Sequence, residues 1–124
     1  MAENDTIPCK ILILGEARVG KTSILNRFIS GTFSPTHTPT LAANFVTKTI
    51  YLKEYNKSIR FDIWDFCGES KYRALIKVFY KNPNFCILVY DSNDESSFIE
   101  LQNYWIEDVK TEAPNSSNSI NFII

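Results

Sequence analysis

Apolar positions fall into short blocks separated by polar turns. Cys9 to Leu14 (CKILIL) is a brief apolar run that stops at a glycine, as a buried parallel strand does. After a glycine-containing loop, Ile24, Leu25, Phe28 and Ile29 recur at helical spacing within Thr22 to Ser30, with Gly31 as the stop. Thr32 to Thr40 holds two prolines and no period, which predicts an extended loop. Asn44 to Leu52 and Ser58 to Asp65 read as two strands around a polar turn at Lys53 to Lys57; in the second, Ile59, Phe61 and Ile63 alternate with Arg60, Asp62 and Trp64.

Ser70 to Tyr80 is predicted as a helix that Pro83 ends, and Phe85 to Tyr90 (FCILVY) as a strand covered on both faces. Ser92-Asn93-Asp94 supplies capping residues for a helix whose apolar stripe is Phe98, Leu101, Trp105 and Val109. Ala113 to Ser119 reads as a surface loop, and Ile120 to Ile124 as a further apolar strand. This alternation predicts an α/β fold with a mainly parallel sheet over residues 9–124, preceded by a flexible segment at 1–8.

Composition removes several alternatives. With 124 residues, 44% hydrophobic and 22% charged, the chain is one ordinary globular domain. A net charge of −1 gives no bulk attraction to nucleic acid or to an anionic membrane. Cys9, Cys67 and Cys86 are irregularly spaced, and His37 is the sole histidine, so no Cys/His metal site is expected and a reducing setting fits. No apolar stretch is long enough for a signal peptide or a membrane span, and the sequence ends Phe122-Ile123-Ile124 without a prenylation motif. The expected location is cytoplasmic, peripheral to endomembranes where a lipidated tail is present, with no membrane anchor in this chain.

The candidate chemistry lies at Gly15-Glu16-Ala17-Arg18-Val19-Gly20-Lys21-Thr22, a G-x-x-x-x-G-K-[ST] loop between the first strand and the first helix. Its glycines let successive N–H groups point at phosphate oxygens, and the helix beginning near Gly20 adds a positive dipole end. Lys21 places a charge on the terminal phosphates, and Thr22 offers a hydroxyl to Mg²⁺. A second piece is Trp64-Asp65-Phe66-Cys67-Gly68-Glu69: an acid at a strand end suits Mg²⁺, and Gly68 permits a backbone N–H near the last phosphate. Alone, D-x-x-G is a weak pattern; after the loop it is a strong one.

With these pieces in place the chain resembles a small GTPase of the Rab family, from about Cys9 onward. Leu41 to Phe45 (LAANF), Arg60 to Asp65 (RFDIWD), Lys71 to Leu75 (KYRAL) and Leu88 to Asp91 (LVYD) favour Rab over Ras or Rho, with an early-endocytic flavour. The resemblance implies the three-layer P-loop NTPase fold without the last strand and last two helices of a full G domain. It implies GTP or GDP as ligand, with Mg²⁺, held by Gly15, Ala17, Arg18, Val19, Gly20, Lys21, Thr22, Ser23, Phe33, Thr40 and Gly68. Thr22, Thr40 and Asp65 would hold the metal, Phe33 would pack on the guanine, and Phe45, Trp64 and Phe79 would form the aromatic triad that engages effectors. Rab-type effectors and exchange factors are the implied partners, through the switch regions; nucleic acid is not.

Two departures qualify the resemblance. The family has glutamine where this chain has Glu69, and glutamate where it has Ser70. Glutamine orients the attacking water by donating and accepting at once, whereas a carboxylate only accepts. It also repels the γ-phosphate, by about 1 kcal/mol at ~4 Å in water and severalfold more in a partly buried site. Glu69, at the water-positioning place, and Lys21 are the implied catalytic residues; impaired hydrolysis is expected, against the rival view that Glu69 acts as a general base. Secondly, the guanine-specifying motifs would follow Ile124, so weak base discrimination is expected.

Other readings stay open beside these. Arg18 suits either phosphate contact or a solvated surface, and Trp64 suits both half-buried structure and effector contact. His37 reads as a loop residue, Cys67 as packing, and the stripe after Ser96 as core. A non-enzymatic pseudo-GTPase that engages Rab partners is the alternative function. A phosphotransferase of another class has no recognisable acceptor site here.

Overall fold

In a computed structural model the described residues are 6–30, 43–112 and 121–123. Phe33, His37 and Thr40 lie outside them, as does the predicted loop that holds them. The first strand, β1, runs Thr6–Leu14, three residues earlier than the apolar run implies and into the segment expected to be flexible. Its early part pairs only with β3 (Lys57–Phe66), because β4 (Phe85–Leu88) joins at Ile11; Pro8 thus sits where a missing N–H does no harm.

The remaining elements are α1 (Lys21–Ser30), β2 (Ala43–Leu52), α2 (Arg73–Ile76), α3 (Glu95–Glu100), α4 (Ile106–Glu112) and β5 (Asn121–Ile123). The sheet order is β2-β3-β1-β4-β5, with only β2 antiparallel. The expected α/β fold with a mainly parallel sheet is therefore what the chain adopts. From Phe45 to Leu52, β2 alternates exposed and half-buried positions, as an antiparallel edge strand with one solvated face should. A 3₁₀ turn at Lys53–Tyr55 and a left-handed Asn56 close the β2–β3 hairpin.

Two cores flank the sheet. On one face Leu12, Leu14, Phe66, Cys86 and Leu88 pack against Ile76, Tyr80, Leu101, Trp105 and Val109. On the other, Cys9, Ile11, Ile13 and Ile63 pack against Leu25 of α1. The alternation of β4 sends Cys86 and Leu88 to the first core while Phe85 and Ile87 remain half-buried on the second, so its two faces are unequally covered.

Three predicted elements need correction. Ser70–Tyr80 is no continuous helix but a 3₁₀ turn at Ser70–Tyr72, the single turn of α2, and another 3₁₀ turn at Lys77–Phe79. Val78, Phe79 and Tyr80 are poor helix formers, and Phe79 and Tyr80, adjacent in sequence, both pack onto the first core. The strand at Phe85 ends at Leu88, not Tyr90, although Val89 N–H still donates to the Leu14 carbonyl at 2.9 Å. Phe98 leaves the core stripe: it is 37% exposed and packs edge-on against Tyr90, ring centroids 4.9 Å apart, at the start of α3. Between α3 and α4, Leu101–Trp105 form a π-helical turn that buries both of its terminal side chains.

Candidate functional site

The glycine loop turns where β1 ends. Gly15 has φ +152°, and a Cβ there would strike the Val89 carbonyl oxygen, so β4's extension and the loop meet backbone to backbone. Arg18 takes φ 66°, an uncommon angle for a residue with a side chain, and points outward, exposed beside exposed Ala17. Gly20 leads into α1, where its carbonyl accepts from Ile24 N–H at 3.0 Å. Val19 and Ser23 are half-buried, and Val19 packs against the second core.

Lys21 is the buried cation of the site, 6% exposed, with its Nζ donating to the Glu16 carbonyl at 2.6 Å. Burial lowers its pKa; nearby Asp65, Cys67 and Glu16 act in the opposite direction without cancelling that shift. An ammonium already stripped of water gains more from an incoming phosphate than a solvated one would. Thr22 Oγ1 donates to Asp65 Oδ2 at 2.5 Å, and Asp65 is fully buried at the end of β3. The Thr22 hydroxyl and the Asp65 carboxylate, both oxygen donors, are a set that fits Mg²⁺. Among the described residues no cluster of three His, Cys, Asp or Glu exists, so phosphate oxygens and water would complete the shell.

Gly68 closes the other side. A Cβ on it would overlap the backbone of Glu16 and Ala17, so the chain after β3 lies directly on the loop. The predicted site residues Gly15, Gly20, Lys21, Thr22, Asp65 and Gly68 are thus brought together. Glu69 is not: it turns to solvent, 3.7 Å from Lys71, with both side chains about half or more exposed. Cys67 is buried, as packing would have it.

Phe45, Trp64 and Phe79 form one aromatic stack. The β2–β3 register places Phe45 opposite Trp64, with centroids 4.6 Å apart, and Trp64 stacks on Phe79 at 4.6 Å. Trp64 is the half-buried centre while Phe45 stays 47% exposed, so packing and presentation coexist.

The motif reading missed one network. Glu16 Oε2 accepts from Arg73 Nη2 and from Trp105 Nε1, both at 2.8 Å. The motif treats Glu16 as an arbitrary position, and its partners are far away in sequence, so no local signal marks it.

A profile of the family described as Roc, Ras of Complex, domain of DAPkinase, matches residues 10–124. The Ras-related protein RabC of Dictyostelium discoideum is 40% identical over 100 residues, covering 81% of this chain and 50% of that protein. The GTP-binding protein YPT53 of Saccharomyces cerevisiae is 38% identical over 84% of this chain and 46% of its own length. The chain belongs to the Rab family of small GTPases. Mouse Ras-related protein Rab-22A, 37% identical, is matched over 86% of this chain and 54% of its own length. This Rab-family chain thus spans about half the length of these curated relatives. Among its described residues no helix is long and apolar enough to cross a membrane.

Proposed function

We propose that this Rab-family chain is a guanine-nucleotide switch of the vesicle-trafficking class, binding GTP or GDP with Mg²⁺ and hydrolysing GTP slowly. The observation that carries this reading is the meeting of buried Lys21, the Thr22–Asp65 pair and the Gly68 backbone around one loop. Lys21 neutralises the terminal phosphates, while Gly20 and the N-terminus of α1 present N–H groups to them. Thr22 and Asp65 would hold the metal, with Thr40 as a further ligand by family resemblance; the ion supplies charge neutralisation between the phosphates. Ala17, Arg18, Val19 and Ser23 line the same loop, and Phe33 would cover the base. Gly68 N–H reports the last phosphate to the segment that follows it, and Phe45, Trp64 and Phe79 offer the surface that effectors and exchange factors read. The working place is the cytoplasm, at endomembranes where a lipid tail is carried.

Glu69 favours weak turnover: it can accept from water but cannot donate, and it brings negative charge toward a developing anion. Its position facing Lys71 and solvent also supports a second reading, a non-enzymatic module that binds Rab partners through the aromatic stack. Calorimetry with GTP and Mg²⁺ separates the two. Binding that disappears with EDTA is the expected result; no heat of binding with or without metal would sink the switch. Glu69→Gln should then raise single-turnover hydrolysis about tenfold or more, on the scale of a lost water-orienting group. An unchanged rate removes the argument for impairment.

A further inference from the structure

The chain between Gly68 and Arg73 is fastened to the phosphate loop at both ends. Gly68 presses on the backbone of Glu16 and Ala17. Five residues later Arg73 Nη2 reaches the Glu16 carboxylate at 2.8 Å. The same oxygen accepts from the Trp105 indole, so a P-loop side chain, α2 and the π-helical turn meet at one atom. Arg73 is held from other directions too. Its guanidinium carbon lies 3.8 Å from the Tyr104 ring centroid and 5.1 Å from that of Trp105, and Nη2 is 3.5 Å from Glu100 Oε2. The Arg73 and Glu16 side chains are only 20% and 27% exposed. This is no screened surface pair but a charge-assisted bond backed by stacking.

We propose that Glu16 and Arg73 form a latch, with Arg73 as a positioning residue that fixes where Glu69 stands and carries nucleotide state to Tyr104 and Trp105. The physical reason is a shared anchor. Gly68 lies on the Glu16 backbone and Arg73 on the Glu16 carboxylate, so a movement of Gly68 toward a terminal phosphate disturbs the residue that holds Arg73. With the latch closed Glu69 is held outward beside Lys71; with it open, residues 69–72 are free to reorient. The consequence for nucleotide rests on the proposed phosphate site, whereas the latch itself does not.

The test uses the full chain without nucleotide. In Arg73→Gln and Glu16→Gln, amide hydrogen exchange at Glu69 to Arg73 should rise about tenfold, with β1 and β3 unchanged, as a broken local coupling requires. The double variant should be no faster than either single one. Where Arg73→Gln fails to fold, the isosteric Glu16→Gln decides alone. Equal exchange in wild type and variants overturns the latch. So does an acceleration spread evenly over β1 and β3, or additivity in the double variant. In a Trp64→Phe background Trp105 is the one remaining tryptophan of the 2 in the chain. There, a non-hydrolysable GTP analogue with Mg²⁺ should shift its emission relative to GDP with Mg²⁺, and Arg73→Gln should abolish the difference; no difference in the Trp64→Phe protein, or one that persists without Arg73, overturns the coupling. If GDP does not bind at all, the proposed function fails, and the exchange measurement still decides the latch.

Discussion

At the scale of single residues the site is a balance of burial and charge. Lys21 sits in a place that disfavours its own charge, held by one carbonyl and the carboxylate of Asp65 nearby. Replacing it with Met should weaken GDP·Mg²⁺ binding about a hundredfold or more in calorimetry, as loss of one member of a buried charge pair does. Gly68→Ala should lower the urea midpoint and weaken the same binding, because the added methyl would lie within 2.5 Å of P-loop backbone that has no flexible side chain to give way. A Gly68→Ala protein with wild-type affinity would show that the 68–80 segment lifts off the loop freely. These residues were legible because their chemistry is local: glycine, lysine and hydroxyl at fixed spacing define a phosphate cradle wherever they follow a strand. Glu16 was not, since its role depends on Arg73 and Trp105, which only the fold brings to it.

Elements were legible where one period ruled them. β1, α1, β2 and β3 lie close to their predicted bounds because each has one clear face or is buried on both. The Ser70–Tyr80 stretch was misread because its apolar residues suit a helical period while its contacts do not: Ile76 and Tyr80 go inward, Arg73 goes to the loop and Phe79 to Trp64. Phe98 was misread because a stripe says nothing about where the sheet beneath it ends. The cap was read correctly: Asp94 Oδ1 accepts from Ser96 N–H at 3.1 Å. Asp94→Ala should cost about 1 kcal/mol in chemical denaturation, a usual value for an N-cap.

Cys86 gives β4 an alkaline signature. Burial pushes its thiol from 9.0 to about 12, so the folded state holds a proton that the unfolded chain releases sooner. Its contribution is therefore complete below pH 9.0 and is lost as pH rises toward about 12. The loss runs at no more than about 1.4 kcal/mol per pH unit. Cys86→Ala should flatten the fall of stability with pH over that range; an unchanged slope would mean the thiol is not dry.

At the scale of the molecule, the sheet is firm at its centre and slight at one margin. β1 is paired on both sides, while β5 has three residues paired with β4, and Ile123 remains 50% exposed. Hydrogen exchange should rank them accordingly, with Phe122 and Ile123 opening at least about tenfold faster than Ile11 to Leu14. Comparable protection would mean that β5 is part of the central cooperative unit. That β5 belongs to the sheet was readable from its apolar pattern; its register against β4 was not, because pairing is a property of the neighbour.

The central place of β1 also bears on how the chain is made. It is synthesised before β3 and β4, yet its partners are β3 and, from Ile11 to Leu14, residues Phe85 to Leu88. The strand that aims the phosphate loop must wait, apolar and without its full pairing, until β4 has been synthesised. During that interval CKILIL is the segment most exposed to wrong partners, and chaperone demand should fall sharply once β4 emerges.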